Sequence, residues 1–516
     1  MEDSGTELGV GLRDKVTLQN REQVRTASDR RTADWDLSYA PKNYVVLVVA
    51  QVASALFSFA GVWLATRFLG PSGYGWIVGI IAASQAIAQL TVNWTAVSVS
   101  RFGVEEFVQN GVIAKAFWTR FWTFTPNVLL VLLTSPLWLP FMSSLLKLPP
   151  QAYFLIIGNF LATSLWIHIQ QALQGAKLLR LQAGLLTIER ILIFAFIAVA
   201  GLGGLSSLTP YALAYILSPL IVGAIGLWQL RTLVFPIQSL DGVLLSRMLR
   251  FSLPMLPASF VGYLSTSYLD AFFITQYLSG ADLAVYAVAS QLSGMALQLP
   301  LLAGSVLMPL FVTLQVDDQE RRAKRFVSDV VPVLTFLWGF ACASAAVMGS
   351  YILPLIFGPA FRQLDSLLWP LLTAAALVAP VLMGYAPFSS SKSVTYIAMI
   401  GAVVGALVNV FLNFLLIPPL GLLGCAWATT LAYGMNTIIV VLLVHLRLEV
   451  AKTWIMWSCV PTVFGAIYAS WFGVNLRALL ATIVADIILI LIYRKSIVAG
   501  LGILSNYRNR IWASET

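Results

Sequence analysis

Charge-free apolar runs of about 20 residues recur along the whole chain, and a run of that length is what an α-helix needs to cross ~30 Å of hydrocarbon. Fourteen candidate spans result. The first seven cover approximately 44–65, 75–97, 121–141, 151–173, 184–202, 210–230 and 251–275. The second seven cover 283–312, 330–353, 366–389, 394–417, 422–444, 454–472 and 476–493. Two neighbouring pairs lack a charged divider and are split at Gly201-Leu-Gly-Gly-Leu-Ser-Ser-Leu-Thr-Pro210 and at Ile417-Pro-Pro-Leu-Gly421, because such sequences punctuate helices. Of the 516 residues 59% are hydrophobic and 10% charged, against a charged share of about 25% in soluble domains. The expected fold class is an all-α polytopic membrane protein.

A net charge of +9 would suggest a nucleic-acid partner in a soluble protein. In a membrane protein the placement of Lys and Arg instead reports orientation. With the amino terminus in the cytoplasm, all but four of the 31 basic residues fall in inside segments; the exceptions are Arg67, Lys147, Arg362 and Arg477. A miscounted span would exchange the sides of every later loop, so this bias supports an even number of crossings with both termini cytoplasmic. The tail of residues 1–42 balances seven basic against eight acidic residues and reads as disordered. The first apolar run is long enough to span, so it reads as a retained helix and not a cleaved signal. Cys342, Cys425 and Cys459 lie in apolar runs without metal-ligand spacing and read as buried thiols; no metal or cofactor is expected.

A displacement of 209 positions superposes Thr66, Leu69, Ser84, Gln89 and Leu90 on Thr275, Leu278, Ser293, Gln298 and Leu299. An even number of crossings separates the two copies, so they enter the membrane in the same direction and are related by an axis along its normal. The expected organisation is an N-lobe at 43–232 (spans 1–6), an inter-lobe linker at 233–250 and a C-lobe at 251–447 (spans 7–12). Two appended helices follow at 448–495, then a tail at 496–516.

Polar side chains within spans mark the candidate pathway, because ionisable groups are expensive there and face a bundle interior or a wet cavity. In span 7, Ser259, Tyr263, Thr266 and Asp270 fall on an arc of about 60° at 100° per residue, below a kink expected at Pro254 and Pro257. Span 4 carries Ser164, His168 and Gln171 on one face, and span 2 carries Gln85, Gln89 and Asn93. Polar contacts between helices account for such residues as readily as a pathway does. Glu189 and Arg190 in span 5 are adjacent, so they point about 100° apart; Arg190 either snorkels to the interface or presents a guanidinium suited to pyrophosphate. Neither a phosphate-binding P-loop nor a long outer loop rich in carboxylates is present.

The stretch from Asn409 through Asn413, Pro418, Gly421 and Gly424 to Thr429 is similar to the helix–turn–helix of the polysaccharide transporter family, within the multidrug, oligosaccharidyl-lipid and polysaccharide exporter superfamily. Cys425 replaces an alanine of that pattern. Arg67-Phe-Leu-Gly-Pro71-Ser-Gly-Tyr-Gly75 resembles the family's segment after span 1, and Phe357-Gly-Pro-Ala-Phe361 its segment after span 9. Asp270 through Tyr286 resembles a further segment, with Ala284 in place of a glycine. These matches run from span 1 to span 12.

The resemblance implies two pseudo-symmetric six-helix lobes around a central cavity plus two C-terminal helices, in the bacterial inner membrane. It implies a flippase without enzymatic activity that moves undecaprenyl-pyrophosphate-linked oligosaccharide outward for O-antigen, capsule or exopolysaccharide assembly. The driving force would be an H+ or Na+ gradient or removal of the substrate on the far side, and the polysaccharide polymerase and export machinery would be partners besides membrane lipid. The residues expected on the substrate or ion pathway are Arg190, Asp270, His168, Gln171, Gln85, Gln89, Asn93 and Tyr263. Asn409 and Asn413 read as fold markers outside the site. The competing readings are a cation-coupled multidrug exporter, which would favour N-lobe carboxylates, and a membrane-embedded polymerase or glycosyltransferase, which needs outward-facing acids or bases.

Overall fold

A computed structural model describes residues 40–253, 256, 267–316, 319–451 and 454–513. These residues fold into helices joined by short turns, with no strand among them. The helices are α1 Ala40–Thr91, α2 Ala96–Asn110, α3 Ala114–Leu145, α4 Ala152–Gly175 and α5 Leu179–Leu202. They continue with α6 Leu208–Val234, α7 Gly242–Ser252, α8 Ser267–Tyr277 and α9 Gly280–Val316. The remainder are α10 Glu320–Phe357, α11 Leu364–Ser391, α12 Tyr396–Leu420, α13 Leu422–Leu448, α14 Ile455–Phe472 and α15, which begins at Leu476 and ends at Ala513.

Among the described residues, twelve helical segments are long and apolar enough to cross a membrane. The sequence reading of about fourteen spans differs for two reasons. Helix α1 holds spans 1 and 2 as one continuous element, bent at Gly70, whose φ of 68° is open to glycine and disfavoured for L side chains, with Pro71 next in the chain. Span 7 is described only at 251–253, 256 and from Ser267, so the polar stripe residues Ser259, Tyr263 and Thr266 and the expected kink at Pro254 and Pro257 lie outside the described residues. The inter-lobe linker contains α7, a helix N-capped by the Asp241 carboxylate, which accepts from the backbone N–H of Val243 and Leu244. Helix α15 runs through most of the segment read as a C-terminal tail.

The repeat is visible in the packing. Ser84 of span 2 donates to Asn159 Oδ1 of α4 at 2.5 Å, and its counterpart Ser293 of span 8 donates to the Leu371 carbonyl of α11 at 2.7 Å. Each lobe thus fastens its second helix to its fourth through the same serine. The α12–α13 hairpin turns at Gly421, and a side chain at Gly424 would lie 2.1 Å from the Leu416 carbonyl oxygen, so the motif's small residues permit this close approach.

The lobes meet at one end of the bundle, where Gly70, Gly280 and Gly421 lie. There Trp63 Nε1 donates to the Ile356 carbonyl at 2.9 Å, Lys147 Nζ to the Leu278 carbonyl at 3.0 Å and Thr275 Oγ1 to the Leu145 carbonyl at 3.3 Å. Phe59 and Phe357 meet edge to face at 5.5 Å. A single buried cluster joins Val62, Tyr74 and Ile77 of α1 to Leu283 and Tyr286 of α9 and Leu353 of α10. Toward the other end the lobes have separate cores, one around Phe117, Trp118, Ile169 and Leu230 and one around Phe311, Phe326, Val331 and Phe388. The bundle is therefore closed at the Gly70 end and divided at the end where α1 begins.

Candidate functional site

Between the lobes lies a cavity of about 480 Å³. Helix α1 contributes Gln51, Ser54, Ser58, Tyr74 and Gln85, and α4 contributes Asn159 and Thr163. Glu189 and Arg190 come from α5, Tyr215 from α6, Tyr268 from α8, and Tyr286, Gln291 and Gln298 from α9. Amides, hydroxyls, one carboxylate and one guanidinium share the wall with apolar side chains, among them Val62, Val78, Ile81, Ile193, Leu283 and Met295.

Glu189 and Arg190 both reach it because the cavity wraps around an edge of α5, which accommodates the divergence of adjacent side chains. The Glu189 carboxylate accepts from Trp166 Nε1 at 2.9 Å and is buried. Arg190 is half-buried, within electrostatic range of the Tyr215 and Tyr268 hydroxyls, and forms no ion pair among the described residues. A guanidinium without a bonded counter-anion has a planar donor fork whose geometry matches carboxylate and phosphate oxygens.

Asp270 lies one side chain behind this wall. Its carboxylate is 3% exposed and surrounded by donors: Tyr286 Oη at 2.6 Å, Asn413 Nδ2 at 2.9 Å and Thr429 Oγ1 at 3.4 Å. Asn413 also donates to Asn409 Oδ1 at 3.1 Å, and Asn409 to Thr429 Oγ1 at 3.3 Å. Four helices, α8, α9, α12 and α13, converge on one carboxylate. No basic group is among its bonded partners, and Asn413 Oδ1 is buried without a hydrogen bond among the described residues. Tyr286 belongs to both this cluster and the cavity wall, so a single hydroxyl connects them. Asn409 and Asn413, read from the sequence as fold markers, are direct neighbours of a candidate pathway residue.

Of the other candidates, Gln85 lines the cavity beside Arg190. Asn93 Nδ2 donates to Gln89 Oε1 at 2.9 Å, which places both at the far end of span 2 and off the wall. Gln171 is half-buried on α4, also off the wall, and Tyr263 lies outside the described residues. His168 is fully buried within the N-lobe, where its Nδ1 lies 2.7 Å from Arg120 Nη1. The guanidinium has only protons to give, so Nδ1 is the acceptor. Arg120 also donates to the Val92 carbonyl at 3.2 Å and to Thr95 Oγ1 at 3.3 Å. It is 1% exposed and satisfies the carbonyl end where α1 stops. Arg120, counted with a cytoplasmic loop, is thus an interior residue of α3.

Sequence reasoning missed most of the wall. Tyr215 carries no local signal and Tyr74 and Tyr286 stand out only as positions of the resemblance segments, whereas Gln291 and Gln298, seven residues apart on one face of span 8, had a usable one.

Residues 40–315 match the model of the family described as polysaccharide biosynthesis protein. The chain belongs to that family. No curated protein matches the sequence. Among solved structures, the lipid II flippase MurJ in an inward closed conformation is 12% identical at a TM-score of 0.64, covering 87% of this chain and 99% of that one. An inward-facing multidrug resistance MATE family transporter of the MOP superfamily is 14% identical at a TM-score of 0.59, covering 79% and 98%. The MATE multidrug transporter DinF-BH is 12% identical at a TM-score of 0.54, covering 80% and 97%. At these identities the likeness is one of fold: this member of the polysaccharide biosynthesis family has the two-lobed architecture of flippases and drug transporters alike.

Proposed function

We propose that the protein moves polyprenyl-pyrophosphate-linked oligosaccharide, with undecaprenyl as the lipid, from the cytoplasmic to the outer leaflet of the bacterial inner membrane for surface polysaccharide assembly. The observation that carries this reading is Arg190, a cation free of any ion pair among the described residues, on a cavity wall whose other polar groups, Glu189 apart, are amides and hydroxyls. Its planar fork suits pyrophosphate oxygens. The surrounding Gln, Asn and Tyr side chains supply the donors and acceptors that sugar hydroxyls require, while the lipid tail stays in the bilayer. The positive bias of the loops puts the divided end in the cytoplasm. The closed Gly70 end is then the outer gate, and rocking of the lobes exchanges access.

The donor shell around Asp270 supports a coupling role. A carboxylate in the membrane without a basic partner gains from taking up a proton or a hard cation such as Na+, for which Asn413 Oδ1 and Thr429 Oγ1 offer further oxygen ligands. Neutralising Asp270 would also lower the repulsion felt by an anionic headgroup on the far side of Tyr286. Export of cationic drugs is the second reading, favoured by the Glu189 carboxylate on the wall; the bond from Trp166 that engages it argues for the first.

Complementation of polysaccharide export, with expression verified, tests the proposal. Arg190→Ala and Asp270→Ala are expected to lose export, and full export by both variants would remove these residues from the mechanism.

A further inference from the structure

We infer that the glycan carried by this protein is uncharged, the pyrophosphate being the one anion the cavity accepts; this rests on the flippase reading above. Among the described residues of the wall only Glu189 and Arg190 bear formal charge, and they are opposite in sign. The wall therefore offers a single cation, which the pyrophosphate engages. Its other polar groups, among them Gln85, Gln291 and Gln298, bond hydroxyls and amides but neutralise nothing.

The stretch of span 7 outside the described residues cannot add a countercharge, because residues 254–266 contain no Asp, Glu, Lys or Arg. The remaining ionisable carboxylates nearby, Glu189 on the wall and Asp270 behind Tyr286, are acidic. A uronic acid would thus add a third negative charge to the two of the pyrophosphate diester, in a partly desolvated space with its one guanidinium occupied and two acids beside it, the arrangement in which an unpaired charge is most costly. Neutral hexoses, deoxyhexoses and N-acetylated amino sugars meet no such penalty. At about 480 Å³ the cavity is in the range of small-ligand pockets, which limits the part of the glycan held at once to a few rings.

Purified protein in liposomes would be given two probes: a polyprenyl-pyrophosphate-linked neutral disaccharide, and the same lipid with its terminal hexose replaced by the hexuronic acid. Transfer is read from the exposure of the labelled glycan to a membrane-impermeant glycosidase. The neutral probe is expected to cross more than about tenfold faster. Gln85→Lys, or Gln298→Lys where the first fails to fold, adds a cation to the wall and is expected to narrow that ratio; an unchanged ratio in a variant that still moves the neutral probe overturns the wall charge as its origin. Equal or faster transfer of the acidic probe by the parent protein overturns the inference and leaves the flippase reading intact. Transfer of neither probe overturns the flippase reading and the inference with it.

Discussion

The outer gate offers a sharp mechanical test at Gly75. A β-carbon placed there would lie 1.9 Å from the backbone oxygen of Gly280 in the opposite lobe, whereas real contacts essentially never fall below 3.0 Å. Gly75→Ala therefore requires the two backbones to part by about 1.1 Å, taking the shortfall from those two distances. The atoms involved are main chain on one side and a methyl group on the other, so no rotamer change relieves the clash. Overpacking of this kind costs about 1–3 kcal/mol. The cost falls only on the state in which the gate is shut, so it shifts the closed-to-open ratio by about 5- to 150-fold. Spin labels at Leu205→Cys and Arg362→Cys, on the outer ends of the N- and C-lobes, would report the separation; Cys342, Cys425 and Cys459 are buried and compete little for label. The alanine variant is expected to enlarge the long-distance population. Gly184→Ala, where an added β-carbon meets nothing within 4 Å, should leave the distribution unchanged. A Gly75→Ala distribution identical to the parent's would refute closure by this contact.

Two further outcomes follow from the buried polar groups. Asp270→Asn should keep the fold, since the amide oxygen can still accept from Asn413 Nδ2 while its NH2 donates to the Tyr286 hydroxyl oxygen, but make transport indifferent to an imposed proton or sodium gradient; retained gradient dependence would move the coupling site elsewhere. Arg120→Met strands His168 Nδ1, while the Val92 carbonyl keeps the bond it accepts from Thr95 Oγ1, and should lower stability by about 1–3 kcal/mol, seen as earlier thermal unfolding in detergent. Unfolding at the parent temperature would show that these groups find other partners.

The membrane architecture was legible because hydrocarbon thickness sets a length that apolar runs must match, and because basic residues collect on one side. Single residues were less so. Arg120 looked like a loop residue because hydropathy ends span 3 at the nearest charge, while α3 begins at Ala114 and carries the guanidinium inward to the end of α1. Arg190 was recognisable as an ionisable residue in a span, but facing the cavity depends on how α5 packs against α1 and α6. Asn409 and Asn413 were visible as a pair one helical turn apart; their meeting with Asp270, far earlier in the chain, is tertiary information that one sequence does not contain. Tyrosines suit cores, interfaces and sugar-binding walls equally, so the motif positions Tyr74 and Tyr286, like Tyr215, acquired a place on the wall only once the helices were assembled around them.

The central claim, that Arg190 receives the pyrophosphate of a lipid-linked oligosaccharide on its way across the membrane, is tested most directly by transfer of such a lipid in liposomes holding either the parent protein or Arg190→Ala. The parent is expected to transfer the lipid and the variant to lose at least about 2 kcal/mol of headgroup interaction, a rate lower by roughly thirtyfold, with Arg190→Lys between the two. Equal transfer by parent and alanine variant would contradict it.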